Sequence, residues 1–371
     1  SLGLINPKPV IKYSSFSGAS VSLVWGTNKN GLDKFLVVKQ DKPQRIKREV
    51  KNWREYVFFL NRIHAVHLVR EESDHLIYDC ASSNPTNEDR KHDEFKEHYK
   101  RVKHPDVTIR YIFDEALDPW YKKKDNVPED LKKVFDDWIT VDTREKIIQW
   151  ASSFFNGYQR DKFFLDISSI AGKPTILKNP AIVDFFPSRD SLVTMTPRCI
   201  IHGDLNPKNI LVFPQADLHI KGTNVSINSA NSHLLCLIDY YCTREGNFFQ
   251  DVACLEACIK FQLIKPQDIG WDHLLNLEDS ISVSLKPNRL PPSLPASAEA
   301  QTLLKKLHSS LKALREQASS THKDISPISY WVYLYIFSLR HLLFSDLTPD
   351  QKRYAFLSAC MIFDRQLCKF A

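Results

Sequence analysis

Cys-x-x-Cys pairs, long apolar runs and dense basic stretches are all missing from this sequence of 371 residues. Its eight cysteines include no Cys-x-x-Cys pair, and no secretory leader precedes them, so we expect reduced thiols in a cytoplasmic protein. No apolar run approaches the length of a membrane span. The net charge of +6 is not gathered into a basic run typical of nucleic-acid binding. We therefore expect neither a membrane nor a nucleic acid as partner.

The composition is that of a globular protein with a sizeable core. Hydrophobic residues make up 43% of the chain and charged residues 25%. The length is sufficient for two lobes that share a cleft. The first residue is Ser rather than Met, which leaves room for partner domains in a longer parent chain.

Two apolar stretches, each followed by polar side chains, carry the most informative pattern. The first, Cys199–Phe213, contains a turn with Asp204 and Asn209, and the second, Leu234–Tyr241, ends its apolar run at Asp239. Phosphoryl transfer needs a carboxylate near the acceptor hydroxyl and oxygen ligands for Mg²⁺. These three residues supply that set, and the Asp-x-x-x-x-Asn spacing matches the catalytic loop of kinases. Taken alone, His-Gly-Asp-Leu would fit an ordinary β-turn equally well.

At these residues the sequence resembles the protein-kinase-like superfamily, in its aminoglycoside-phosphotransferase and choline-kinase branch. That branch has His-Gly-Asp, as in His202–Asp204, followed by a strand ending in Ile-Asp and then by Gly246 and Asp251. The resemblance covers roughly residues 9–82 and 140–265. More narrowly, the chain resembles the kinase-like module of bacterial ternary-complex-associated conflict systems.

The resemblance implies an α+β, two-lobed protein-kinase-like fold. Its N-lobe would occupy residues 1–82 and hold a five-stranded antiparallel sheet. A charged insert near the hinge would span residues 83–130, and a mainly helical C-lobe with the catalytic and metal-binding loops would span residues 131–371. The insert is interpreted as a solvated decoration, or alternatively as a lid or substrate-recognition element, because long inserts in compact domains are often functional.

The kinase-like interpretation gives Lys39, at the end of an apolar strand, the task of contacting the phosphates while a helix carboxylate holds it. Two glutamates, Glu49 and Glu55, compete for that role. The apolar residues between Ile46 and Leu60 recur at helical spacing and define one face of a helix. Glu49 lies at the margin of that face whereas Glu55 projects away from it, so we predict that Glu49 pairs with Lys39.

The resemblance also implies the remaining nucleotide contacts. A small-residue loop containing Gly18 and Ser20 would place backbone amides over the phosphates. Tyr78 and Cys80 would belong to the connector whose backbone faces the base. The sequence does not decide between ATP and GTP.

Each residue of the catalytic stretch has an expected role. Asp204 would accept or orient the acceptor's proton, while Asn209 and Asp239 would hold Mg²⁺. The resemblance implies structural support of the site for His202 and for Asp251; a helix N-cap is the alternative for Asp251.

The segment between Asp239 and Asp251 is short and lacks the Ala-Pro-Glu motif that ends the activation segment of protein kinases. It favours an ATP-dependent phosphotransferase that acts on a hydroxyl of a small molecule. The alternative is a nucleotide-binding or empty pseudokinase that serves as a sensor or scaffold. A purely structural helical protein is a third class, and it would show no nucleotide effect on melting.

Overall fold

The computed structural model describes residues 4–13, 19–31, 33–59, 67–79, 93–122, 125–155, 158–162, 164–172, 174–186, 192–212, 219–221, 224–226, 235–285, 294–320 and 326–370. The strands in these residues are, in chain order, β1 (Leu4–Tyr13), β2 (Ser20–Asn28), β3 (Asp33–Gln40), β4 (His67–Glu71), β5 (His75–Asp79), β6 (Asp93–Glu94), β7 (Asp125–Asp130), β8 (Phe164–Asp166), β9 (Ile176–Lys178), β10 (Val193–Ile201), β11 (Ile210–Val212), β12 (His219–Lys221), β13 (Asn224–Ser226), β14 (Leu235–Leu237) and β15 (Arg244–Asn247).

The α-helices are α1 (Pro43–Asn52), α2 (Phe95–Arg101), α3 (Pro105–Tyr111), α4 (Asp118–Tyr121), α5 (Leu131–Trp138), α6 (Val141–Phe154), α7 (Ser168–Ala171), α8 (Phe248–Cys258), α9 (Pro266–Ile269), α10 (Trp271–Ser282), α11 (Ala298–Ser320), α12 (Ile328–His341) and α13 (Pro349–Ile362). π-Helical turns continue the helical path at Trp53–Val57, Ile112–Ala116, Ile259–Leu263 and Phe363–Leu367. None of the helices in the described parts of the chain is long and apolar enough to cross a membrane.

The chain divides into two compact units that are discontinuous in sequence. Unit 1 comprises Ser1–Val102, Arg110–Lys123 and Cys199–Gly246. Unit 2 comprises Lys103–Ile109, Lys124–Arg198 and Asn247–Ala371. The stretch with Asp204, Asn209 and Asp239 thus belongs to the same unit as Lys39 and Glu49.

Unit 1 contains an antiparallel sheet in the order β1-β2-β3-β5-β4. Strands β4 and β5 pair antiparallel, with Arg70 opposite Ile77. Helix α1 buries Ile46 and Val50, and its π-helical continuation buries Trp53 and Val57. These are the residues whose spacing predicted the apolar face of this helix, and their burial fixes which of its polar residues turn inward.

A second, smaller sheet of unit 1 positions the turn predicted to be catalytic, which carries Asp204 and Asn209 and is called the catalytic turn below on the basis of that prediction. It has the order β14-β11-β6, and β11 pairs antiparallel with both neighbours. Ile210 faces Leu237, and Leu211 faces Glu94. All three residues of β11 are buried, as the continuous apolar sequence Ile-Leu-Val predicts for a strand covered on both faces.

The interpretation of residues 83–130 as a solvated decoration is wrong for its described part, 93–122 and 125–130. Phe95, Ile112 and Trp120 have no exposed side-chain surface, and Tyr99 is 2% exposed. Strand β6 pairs with β11 in the small sheet β14-β11-β6. The charged residues of this segment lie between core residues, so its high charge density concealed a structural element.

Unit 2 is mainly helical and contains charged groups that are completely buried. Strands β7 and β10 pair antiparallel, and β8 pairs with β9. Arg315 of α11 lies 2.5 Å from Glu256 of α8, and Lys260 lies 2.9 Å from Glu278 of α10. Because each charge has an opposite partner, the helices can enclose these groups at tolerable cost.

Candidate active site

Lys39 lies near the end of β3 and is 3% exposed. Its backbone faces Val21 of β2 and Leu76 of β5. Its Nζ lies 2.6 Å from Glu49 Oε2 and 2.8 Å from Asp239 Oδ1. Burial opposes the charged form, but the carboxylates of Glu49 and Asp239 outweigh it and raise the pKa of Lys39. The lysine is therefore a fixed cation at all physiological pH values.

Glu49 turns into unit 1 from the margin of α1, as the helical pattern predicted, whereas Glu55 is exposed. Its second carboxylate oxygen, Oε1, accepts a hydrogen bond of 2.8 Å from the hydroxyl of Tyr78 and one of 3.3 Å from the amide of Tyr240. Burial and the nearby charge of Asp239 raise the pKa of Glu49, which Lys39 partly counteracts. Both carboxylate oxygens are thereby engaged.

The catalytic turn is folded by its own polar groups. Asn209 Nδ2 donates to the carbonyl oxygen of Asp204 at 2.8 Å and lies 3.3 Å from Asp204 Oδ2. The amide of Asn206 donates to the same carbonyl at 2.8 Å, and that of Asn209 donates to the carbonyl of Asn206 at 3.0 Å. The predicted Asp204 and Asn209 are thus in direct contact.

The register of β11 and β14 brings Asp239 to the same end of the small sheet. Asn209 immediately precedes β11, and Ile210 faces Leu237 near the end of β14. The amide of Ile238 donates to the carbonyl of Asn209 at 3.0 Å. Burial raises the pKa of the Cys242 thiol most, and the carboxylates of Asp204 and Asp239 raise it further. Both carboxylates therefore lie close enough to this thiol to act on it.

His202, for which structural support of the site stays a prediction, lies next to Gly203. Its ring is fully buried, and its Nε2 lies 2.9 Å from the carbonyl oxygen of Ile238. The ring stacks on Trp120, with centroids 6.4 Å apart. The imidazole therefore ties the catalytic turn to the segment that carries Asp239.

Gly203 is required between His202 and Asp204. Its φ is +79°, a backbone conformation that residues other than glycine seldom adopt. An added Cβ would overlap the carbonyl oxygen of Cys242 and lie 3.0 Å from Nη1 of Arg244. Arg244 in turn donates to that carbonyl at 3.0 Å. Close backbone approach explains His-Gly-Asp in this chain.

The structure describes two of the four remaining residues that were predicted to contact the nucleotide, Ser20 and Tyr78. Ser20 begins β2 opposite Gln40 and is half-buried. Tyr78 lies within β5 rather than in a connector after it, and its hydroxyl supports Glu49. Sequence analysis missed this side-chain role, for which an aromatic residue at a strand position is only a weak signal. Gly18 and Cys80 lie outside the described residues.

Asp251 is fully buried in the first turn of α8 in unit 2. The alternative prediction that it caps this helix is wrong, because Asn247 is the N-cap and accepts from the amide of Phe249. Its predicted support of the catalytic turn stays a prediction.

The donor atoms suit a hard cation such as Mg²⁺, which takes oxygen ligands. Asn209 uses its amide nitrogen on Asp204, which leaves its amide oxygen as a ligand. Asp239 contributes a carboxylate that is 23% exposed. The described residues contain no cluster of three or more His, Cys, Asp and Glu that could hold a metal by itself. One amide and one carboxylate would need further oxygens, such as those of phosphates.

The chain is similar, at low sequence identity, to several solved structures. Aminoglycoside phosphotransferase APH(2'')-Ib, in its ADP-bound form, is 14% identical, with 85% of this chain and 94% of that one covered and a TM-score of 0.35. A glucosamine kinase is 9% identical over 97% and 94%, with a TM-score of 0.43. Choline kinase LicA from Streptococcus pneumoniae is 11% identical over 96% and 94%, with a TM-score of 0.32.

A family model matches part of the chain, less than half of its length. Residues 179–343 match the family described as Ternary complex associated domain 9. This agrees with the narrower resemblance to ternary-complex-associated systems that the motifs suggested. A search of the curated proteins finds no match.

Proposed function

We propose that this chain is a Mg²⁺-dependent phosphotransferase of the kinase-like type, which moves the γ-phosphate of ATP or GTP to a hydroxyl group of a small molecule. One observation carries the proposal: a buried Lys39–Glu49 pair contacts Asp239, at the end of the sheet where Asp204 and Asn209 touch each other. A cation fixed beside two carboxylates and an amide is what a phosphate–metal complex requires.

In this proposal Lys39 contacts the phosphates and Glu49 fixes its position. Asn209 and Asp239 hold Mg²⁺, which when bound neutralises charge that develops on the phosphate oxygens. Asp204 aligns the acceptor hydroxyl and accepts its proton. Alignment contributes more than proton abstraction, because an ordinary carboxylate is a weak base at neutral pH.

Backbone contacts to the nucleotide are proposed for Gly18 and Ser20 on one side and for the chain from Tyr78 to Cys80 on the other. The side chain of Tyr78 is 1% exposed and bonded to Glu49, so any contact with the base comes from its backbone. Asp251 is proposed to support the catalytic turn. The two-lobed arrangement of the superfamily, with its boundaries near residues 82 and 131, belongs to the same proposal.

The alternative function is a pseudokinase module that senses or scaffolds. The 2.8 Å contact between Lys39 Nζ and Asp239 Oδ1 favours it only in that the lysine neutralises this carboxylate without a metal; the second carboxylate oxygen is left for a cation. A pseudokinase would keep the pair closed, or would bind nucleotide without turnover.

The test combines melting and turnover. With Mg²⁺ and ATP or GTP at 100 times Kd, binding should stabilise the fold by about 2.7 kcal/mol. Asp204→Ala should retain this stabilisation and lose nucleotide turnover, and Asp239→Asn should lose the Mg²⁺-dependent part of the stabilisation. Glu55→Gln, at an exposed position of the π-helical turn that continues α1, is the matched control. Stabilisation without turnover for any hydroxyl acceptor would favour the nucleotide-binding pseudokinase. No nucleotide effect at all would refute both the phosphotransferase and the nucleotide-binding pseudokinase.

A further inference from the structure

The backbone at Asp239 is strained. Its φ and ψ are +65° and +71°, in the left-handed region. A residue with a side chain enters this region only when its surroundings hold it there. The carboxylate that contacts Lys39 therefore depends on contacts made by its neighbours in the chain.

On the N-terminal side of Asp239 the small sheet and the catalytic turn provide these contacts. The amide of Ile238 donates to the carbonyl of Asn209, and the carbonyl of Ile238 faces Nε2 of His202 at 2.9 Å. The hydroxyl of Tyr240 reaches back to the carbonyl of Leu237 at 2.5 Å. The chain is thus fixed up to the strained residue.

On the C-terminal side helix α1 provides them. Nδ2 of Asn52 donates to the carbonyl oxygens of Tyr240, at 3.0 Å, and Tyr241, at 2.8 Å. Asn52 is 8% exposed, and it lies three residues after Glu49, on the same side of the helix. Glu49 adds a third bond by accepting from the amide of Tyr240.

We infer that Asn52 is a positioning residue for the metal-binding carboxylate of Asp239. It holds Tyr240 and Tyr241 on α1 through two bonds from one amide group. The same helix holds Lys39 through Glu49, so one rigid element sets the distance between Lys39 and Asp239. The contacts that set this distance are then made by packing and hydrogen bonds within unit 1.

The side chain at position 52 has to donate two hydrogen bonds and remain neutral. An aspartate of the same shape would face two carbonyl oxygens with a charge and no donors. A leucine would fill similar space without donors. Asn52→Asp and Asn52→Leu therefore remove the two donated hydrogen bonds without removing side-chain volume. Asn52→Gln, which retains the amide group on a longer side chain, should restore part of the effect of these bonds.

The functional part of this inference rests on the proposed phosphotransferase. The experiment measures the Mg²⁺ concentration that gives half of the ATP-induced rise in Tm, for the full chain and each variant. Residues that orient metal ligands typically change metal affinity by about 10- to 100-fold, so Asn52→Leu and Asn52→Asp should need at least about 10-fold more Mg²⁺. Glu55→Gln, in the π-helical turn that continues α1, should need the same Mg²⁺ concentration as the unchanged protein.

A second measurement, amide hydrogen exchange without nucleotide, is independent of the proposed function. Both Asn52→Leu and Asn52→Asp should accelerate exchange at Tyr240–Thr243 by about 10-fold or more while β11 stays protected. Unchanged exchange there in a folded variant would overturn the inference, and so would an unchanged Mg²⁺ requirement. If the unchanged protein shows no response to Mg²⁺ and ATP, the proposed function fails. Faster exchange at Tyr240–Thr243 in the variants would still show that the hydrogen bonds of Asn52 hold this segment on α1.

Discussion

The Nζ of Lys39 and Oε2 of Glu49 are 2.6 Å apart, and both side chains are almost completely buried. Asp239 completes a group of one cation and two anions. A buried ion pair adds little stability compared with a well-packed apolar pair, but removal of one partner leaves an uncompensated charge. The pair is therefore expected to be sensitive to single substitutions and tolerant of paired ones.

Lys39→Met should lower the free energy of unfolding by about 3–5 kcal/mol, because Glu49 would then face Asp239 without a cation. Addition of Glu49→Gln to this variant should restore part of the loss. Denaturant unfolding measures both. The matched control is Arg54→Met, whose 2.8 Å bond to Glu71 is exposed, with an expected loss of no more than about 1 kcal/mol. Equal losses for the two single variants would contradict the importance of burial.

The pairing of Lys39 with Glu49 could be predicted because a helix exposes its geometry in the sequence. The apolar stripe from Ile46 to Val57 orients α1, and orientation separates Glu49 from Glu55. The closeness of Asp204 to Asn209, and the place of Asp239 at the same end of the small sheet, were predictable as a motif, since their spacing is fixed by the turn and by the strands around it. In both cases a periodic or local pattern carried the information.

Other features depend on contacts between residues distant in sequence. Nothing local in the sequence indicates that Asn52 meets Tyr240, because an asparagine at the polar margin of a helix is usually solvated. The core residues Phe95 and Trp120 were hidden for a similar reason. They lie among charged residues in short helices, where hydrophobic periodicity is too brief to detect.

Gly203→Ala should be much more harmful than Gly172→Ala. Both glycines have φ near +70°, where an L-residue costs about 1–2 kcal/mol. An added Cβ at Gly172 would meet no described residue within 4 Å, but at Gly203 it would overlap the carbonyl of Cys242. We expect Gly172→Ala to lose only the conformational cost and Gly203→Ala to lose at least about 2 kcal/mol more.

Thermal unfolding compares the two glycine variants, and nucleotide turnover provides a second readout. Gly203→Ala should also reduce turnover, since a displaced turn moves Asp204. Similar Tm losses for both variants, with turnover retained in each, would show that the turn can move away from Cys242 at little cost.

The Cys242 thiol should be unreactive although it is only half-buried. Burial, together with the carboxylates of Asp204 and Asp239, raises its pKa to about 12. Alkylation requires the thiolate, so at about pH 8 iodoacetamide should modify Cys242 at least about 100-fold more slowly than a free cysteine. Asp204→Asn removes one of the charges and should accelerate the reaction. Peptide mass spectrometry over time measures both rates, and labelling of Cys242 at the rate of a free thiol would contradict the prediction.

Alkaline pH should destabilise the protein through its buried phenols. Burial raises the pKa of Tyr78, Tyr330, Tyr335 and Tyr354 well above 10, and the neighbouring carboxylates of Glu49, Glu256 and Glu278 add to the effect for three of them. A group whose pKa is raised in the folded state contributes stability that is complete below the unfolded pKa. That stability is lost as pH rises, because only the unfolded chain releases the proton.

The free energy of unfolding should therefore fall from about pH 10 upward, with each such phenol contributing up to about 1.4 kcal/mol per pH unit. Tyr335 offers the cleanest test. Its hydroxyl donates to the carbonyl of Phe185 at 2.9 Å, and no carboxylate of the described residues is bonded to it. Tyr335→Phe should reduce the slope by one phenol's share, while absorbance near 295 nm shows the remaining buried tyrosines ionising only as the protein unfolds. If the variant retained the full slope, or if tyrosinate formed well before unfolding, the phenol of Tyr335 would ionise within the folded state and this account of alkaline destabilisation would be wrong.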